Sequence, residues 1–161
     1  MASVDYFLKI DGIDGESVDA KHKGSIQIDS FSWGQSNAGT HSAGGGGGAG
    51  KVAMQDFHFT MNTNKASVKL MLACATGEHI KSAKLTCRKA GKEQQEYLVI
   101  DFSDLLISSY QLGGAGSSGL PTESISFNFS KVEFNYREQK ADGTLQAPIK
   151  AGYDLKKQVK V

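Results

Sequence analysis

A surplus of charge is the first thing this 161-residue chain lacks: 18 Lys and Arg stand against 17 Asp and Glu, a net charge of +1. No global field therefore draws it to nucleic acid or to an anionic membrane surface. Long apolar runs are missing too; no stretch approaches 18 such residues, so no segment reads as a membrane-spanning helix. The opening Met1, Ala2, Ser3, Val4, Asp5, Tyr6 has no basic segment followed by an apolar one, so a secretory signal is not expected. Cys74 and Cys87 are too few for a disulfide framework, and a reducing compartment is expected during folding. The length suits one domain, residues 1–161, with a core of its own. The expectation is a soluble, near-neutral, single-domain cytosolic chain.

Glycine is what the chain has in plenty, and it is concentrated in two places. Six of the seven residues 44–50 are Gly, inside a polar run from 34 to 51, and a second cluster covers 113–119. Neither can bury enough apolar surface to offset the entropy of ordering, so both read as mobile surface loops. An interdomain linker is the other reading, but about 33 residues before the first run are too few for an independent core.

Elsewhere the apolar spacing is mostly period two. Segment 6–10 is rich in strand formers. Segment 25–33 alternates through Ile26 and Ile28 and then Phe31 and Trp33, a change of phase near Asp29 and Ser30 that a β-bulge explains. Similar runs cover 52–61, 80–88, 93–102 and 122–137, with a turn at Ala90, Gly91 and Lys92 and another at Asp142 and Gly143. In 66–76, by contrast, Val68, Met71, Leu72 and Ala75 recur at i, i+3, i+4 and i+7, the apolar face of a helix. Asn64 is placed to cap its start and Gly77 to stop it in a left-handed conformation. About eight short strands and one helix predict a mainly β fold: an antiparallel β-barrel with one flanking α-helix and a long glycine-rich loop.

One strand has no wet face. Tyr97, Leu98, Val99 and Ile100, then Leu105, Leu106 and Ile107, are apolar on both sides. Such a strand is either doubly buried inside a monomer or covered from outside by another copy of the chain. On the second reading Tyr97, Val99 and Leu106 are subunit-interface candidates.

Motifs that would carry chemistry are incomplete. Residues 45–51 match G-x-x-x-x-G-K, but Val52 stands where a phosphate loop needs Ser or Thr, and a strand rather than a helix is expected next. His22, His41, His58 and His79 pair with no Cys, Asp, Glu or second His at a metal-ligand spacing on a helix. Cys74 and Cys87 read as buried hydrophobes. Asp101 and Asp104 are near in sequence without sign of a raised pKa. No catalytic residue, metal or cofactor is assigned, and the chain is not expected to be an enzyme.

The order of segments nevertheless resembles a known family. Residues 5–13 (DYFLKIDGI), 30–34 (SFSWG), 57–59 (FHF), 73–80 (ACATGEHI), 83–91 (AKLTCRKAG), 107–110 (ISSY), 127–136 (FNFSKVEFNY) and 152–155 (GYDL) follow one another as in the haemolysin-coregulated protein family, Hcp. These are the tube proteins of bacterial type VI secretion systems. The glycine run 44–50 departs from the family's usual polar loop.

The resemblance implies hexameric rings that stack into a tube inside a contractile sheath. The tube is tipped by a spike protein and is expelled on contraction, with effector proteins carried and protected in the lumen. The alternative is a free-ring carrier that never polymerises productively. Nucleic acid and membrane insertion are not expected. The chain would be cytoplasmic before firing and then extracellular without a signal peptide. A compact chain of this length is about 40 Å across, so six in a ring enclose a hole of about 40 Å. On this reading Ile26, Ile28, Phe31 and Trp33 fill the barrel. Gln27, Asp29 and Ser32 lie on the opposite face, which either lines the lumen and touches effectors or is an ordinary solvent face. In the 34–51 loop, Gln35, Ser36, Asn37, His41, Gly45, Gly47 and Lys51 are candidates for contact with the next ring; the bland reading is a loop with no partner.

Overall fold

The structure is a computed structural model and describes residues 4–39, 51–89, 94–117 and 119–161. Eleven strands and one helix follow in chain order among them. They are β1 (Val4–Ile10), β2 (Ile26–Ile28), β3 (Ser30–Ser32), β4 (Gln35–Asn37), β5 (Val52–Met54), β6 (Phe57–Asn62), α1 (Ala66–Thr76) and β7 (His79–Lys89). Then come β8 (Gln95–Gly113), β9 (Thr122–Tyr136), β10 (Ile149–Asp154) and β11 (Val159–Lys160).

Every pairing is antiparallel, and the pairings run in a ring. β1 pairs with β7, β7 with β8, β8 with β9, β9 with β6 and β6 with β3. β3 continues from β2, which pairs back onto β1 and so closes the barrel. The expected phase change sits at that joint. Asp29 and Ser30 are both exposed, and the Asp29 N–H donates to the Thr60 carbonyl at 2.8 Å as the chain leaves β1 for β6. β9 is long enough to serve two partners on one edge, β6 through residues 122–127 and β10 through 131–136.

Alternation in β6, β8 and β9 sends every second side chain inward. Phe57, Phe102 and Phe127 meet there with ring centroids 4.9–5.1 Å apart, in tilted and edge-on packings that aromatic quadrupoles favour. Ile26 and Ile28 are buried as expected, whereas Phe31 and Trp33 are half-buried. The strand expected to carry Tyr97 to Ile100 and then Leu105 to Ile107 runs from 95 to 113. Asp104 takes a left-handed conformation (φ 59°) inside it, and the register shifts between Ile107 and Ser109.

The helix caps follow the sequence. Asn64 Oδ1 accepts from the Ala66 N–H at 2.8 Å and Ser67 Oγ accepts from the Asn64 N–H at 3.0 Å, while Gly77 stops the helix at φ 67°. Its buried face does not. Ala66, Ser67, Leu70 and Ala73 face the core; Val68, Met71 and Leu72 are 70%, 47% and 53% exposed, and Ala75 is exposed too. The helix carries two apolar stripes, and the one with smaller residues fits against the barrel. The base of the 34–51 loop is also more ordered than composition suggests, since β4 and β5 form a two-stranded ribbon. The turn at residues 90–92 and the glycine run itself lie outside the described residues.

Candidate functional site

The outward face of the barrel divides by chemistry. On one part, strand registers align Ser32, His58, Ser126 and Ser109 in one row and Ser30, Thr60, Ser124 and Gln111 in the next. Ser30 and Thr60 share a hydrogen bond of 2.5 Å between their hydroxyls, and His58 Nδ1 lies 3.0 Å from Ser126 Oγ. Neither row contains a carboxylate, lysine or arginine. Short side chains that satisfy one another make a smooth, hydrogen-bonding surface with little fixed charge.

The remainder of the face is ionic. Registers place Lys9 beside Lys84 and Lys84 beside Asp101, with Glu133 next. Under the 13–25 segment lies a buried cluster: Arg88 is 2% exposed, with Nη2 donating to Asp5 at 3.1 Å and to Asp19 at 2.8 Å. The Arg88 guanidinium sits 4.7 Å over the Phe7 ring, and Phe7 stacks on His22 at 4.5 Å. Among the described residues Arg88 Nε and Nη1 have no partner. The hydrogen bond from Arg88 is the main reason the Asp19 carboxyl is lowered from 3.8 to about 2.

The predicted site residues are scattered over this surface. Gln27, Asp29 and Ser32 are all exposed, but only Ser32 belongs to the hydroxyl rows; Gln27 pairs in register with Phe7 beside the ionic part. Gln35, Ser36, Asn37 and Lys51 are exposed at the base of the loop. His41, Gly45 and Gly47 lie outside the described residues. Tyr97, Val99 and Leu106 are half-buried and do not form one patch: Val99 aligns with Thr86 and Asn135, and Leu106 with His79 and Asn128. The Arg88 cluster escaped the sequence reading because its members lie up to 83 positions apart. The one local trace of it is the basic run Lys21, His22, Lys23.

Groups that could do chemistry are held apart or quenched. Asp101 faces Lys84 at 3.8 Å, whereas Asp104 is bound by Lys156 and by His79 at 3.3 Å, which keep its carboxyl below the usual range. Burial pushes the Cys87 thiol up to about 12, so it is not a thiolate at neutral pH. Among the described residues no three His, Cys, Asp or Glu come together as a metal site. Val52 enters strand β5, so no helix N-terminus follows Lys51 to hold a phosphate.

The family model described as "Type VI secretion system effector, Hcp" matches residues 7–136. The chain belongs to the Hcp family. It is 44% identical to Protein hcp1 of Pseudomonas aeruginosa over 159 residues, 98% of either chain. Among solved structures, a type six secretion system protein superposes with a TM-score of 0.93 at 32% identity, covering 98% of this chain and 99% of that one. Hcp1 from Salmonella typhimurium gives 0.81 at 34% identity, covering 99% and 100%. This Hcp protein is thus a type VI secretion protein of β-rich fold. No helix among its described residues is long and apolar enough to cross a membrane.

Proposed function

We propose that this Hcp protein is the tube subunit of a type VI secretion system, assembling into six-membered rings that stack inside the contractile sheath beneath a spike protein. It is made in the cytoplasm, expelled when the sheath contracts, and carries effector proteins in the lumen. What carries this reading is the full-length likeness to Protein hcp1. The uncovered stripe of Val68, Met71 and Leu72 supports the self-associating part of it. A helix apolar on two sides keeps one of them in water unless another molecule covers it.

Site roles follow. The hydroxyl rows around Ser32, flanked by Gln27 and Asp29, line the lumen, where a surface of small polar groups holds varied cargo weakly and releases it. Tyr97 and Leu106 lie at subunit contacts; Val99 floors a cation-lined groove and takes a different role below. The β4–β5 ribbon presents Gln35, Ser36, Asn37 and Lys51 toward the next ring, together with His41, Gly45 and Gly47 of the loop it carries.

Native mass spectrometry of the purified chain tests the assembly. The expected species is a closed ring of six copies. A monomer at micromolar concentration overturns the proposal, and rings that never form tubes, even in cells with a contracting sheath, favour the free carrier.

A further inference from the structure

Two adjoining concavities of about 440 and 690 Å³ share Lys21, Glu96 and Val99 and make one groove across β1, β7, β8 and β9. Its lining holds five cations, Lys9, Lys21, Lys23, Lys84 and Arg137, against one carboxylate, Glu96. Among the lining residues cations therefore outnumber carboxylates, while Asp101 and Glu133 flank them. Two of the cations are already engaged, Lys9 by Asp14 at 3.1 Å and Lys84 by Asp101 at 3.8 Å. Among the described residues Lys21, Lys23 and Arg137 form no ion pair. The one carboxylate of the lining is hydrogen-bonded, with His22 Nε2 2.6 Å from Glu96 Oε1.

The groove is stiff and partly apolar. Val99 and Phe7 line it, and Phe7 is clamped between the buried Arg88 and the His22 ring. At the other end Asn135 Oδ1 is buried without a partner among the described residues, an acceptor in need of a donor. Beneath the floor the Arg88 charge is met by Asp5 and Asp19, though its Nε and Nη1 have no partner among the described residues. From β1 to β9 the groove crosses three strand spacings, about 14 Å, the reach of about four residues of extended chain.

We propose that this groove binds a short, extended acidic peptide segment of a partner protein. Carboxylates of the segment meet Lys21, Lys23 and Arg137, a backbone N–H donates to Asn135 Oδ1, and an apolar side chain rests on Val99. A nucleic-acid strand fits less well. Phe7 is buried under His22 and offers no open ring for base stacking. This goes beyond the tube reading and holds whether or not rings stack.

The test uses a fluorescein-labelled pentapeptide of four glutamates around a central leucine, followed by anisotropy on the intact protein. Binding should saturate, weaken from low to physiological ionic strength, and drop about tenfold in Lys21→Glu/Lys23→Glu. It should be unchanged in Lys157→Glu/Lys160→Glu, which lies off the groove. Hydrogen exchange on the unaltered protein gives a second readout that needs no variant: the peptide should slow exchange in residues 19–25 and 95–99. The proposal is overturned by non-saturable binding, by equal affinity in the groove variant, or by protection confined elsewhere. Tighter binding of a single-stranded oligonucleotide of equal charge overturns it as well. So does a changed ring mass in Lys21→Glu/Lys23→Glu, which would make a neighbouring copy the occupant.

Discussion

At the scale of single residues, Asp19 shows how one buried cation organises a surface segment. Its carboxylate accepts from Arg88 and from the backbone N–H groups of Lys21 at 3.0 Å and His22 at 3.2 Å, so the same side chain holds the guanidinium and shapes the turn over Phe7. The folded pKa of about 2 lies below the ordinary 3.8. The folded state therefore favours the ionised form. That stabilisation is complete above about pH 4 and is lost as the pH falls toward 2. Urea midpoints measured between these limits should decline for the native chain, and the decline should be shallower in Asp19→Asn, which is also less stable at neutral pH. An equal slope in both would remove Asp19 as a source of the acid sensitivity. Ser32 makes the contrasting case. It is exposed and small, so Ser32→Gln should leave rings intact by native mass spectrometry while reducing the effector retained on them; full retention would take this residue out of the lumen.

Helix α1 is the element whose sequence carries two messages. At 11 residues it is too short to persist alone in water, so packing against the barrel holds it in place. Leu70 is fully buried, and Leu70→Ala should cost about 2–5 kcal/mol of unfolding free energy. Leu72, two positions on, is half in water. Leu72→Glu should barely move the melting temperature of the isolated subunit but should shift sedimentation toward smaller species. If both variants lost stability equally, the outer stripe would be part of the core and not an assembly surface. The apolar spacing showed that a helix stands at 66–76. It pointed to the wrong side, because Val68, Met71, Leu72 and Ala75 match the period as well as the smaller set does. Room against the barrel then selected Ala66, Leu70 and Ala73. β8 teaches a similar lesson: Asp104 and the shift near Ser108 break the alternation without breaking the strand, since β7 and β9 hold it from both sides.

For the molecule as a whole, the closed ring of strand pairings leaves the β4–β5 ribbon outside the main sheet. Deleting residues 44–48 should therefore spare subunit folding and six-membered rings while reducing tube length under the electron microscope. Tubes of normal length would show that the loop takes no part in stacking.

What the sequence determined by itself was local: period-two runs that became β6, β7 and β9, the glycine that stops α1, the caps at Asn64, the phase change at Asp29, and the family to which the ordered segments belong. These are legible because alternation and capping depend on neighbours within a few residues. Only the tertiary structure decided which stripe of α1 faces inward, that β8 extends from 95 to 113 with a register shift between Ile107 and Ser109, and that Lys9, Lys21, Lys23, Lys84 and Arg137 share a groove. Those outcomes depend on contacts between residues far apart in the chain. A nearly neutral composition hides a cationic groove for the same reason: charge becomes local only after β1, β7, β8 and β9 are laid side by side.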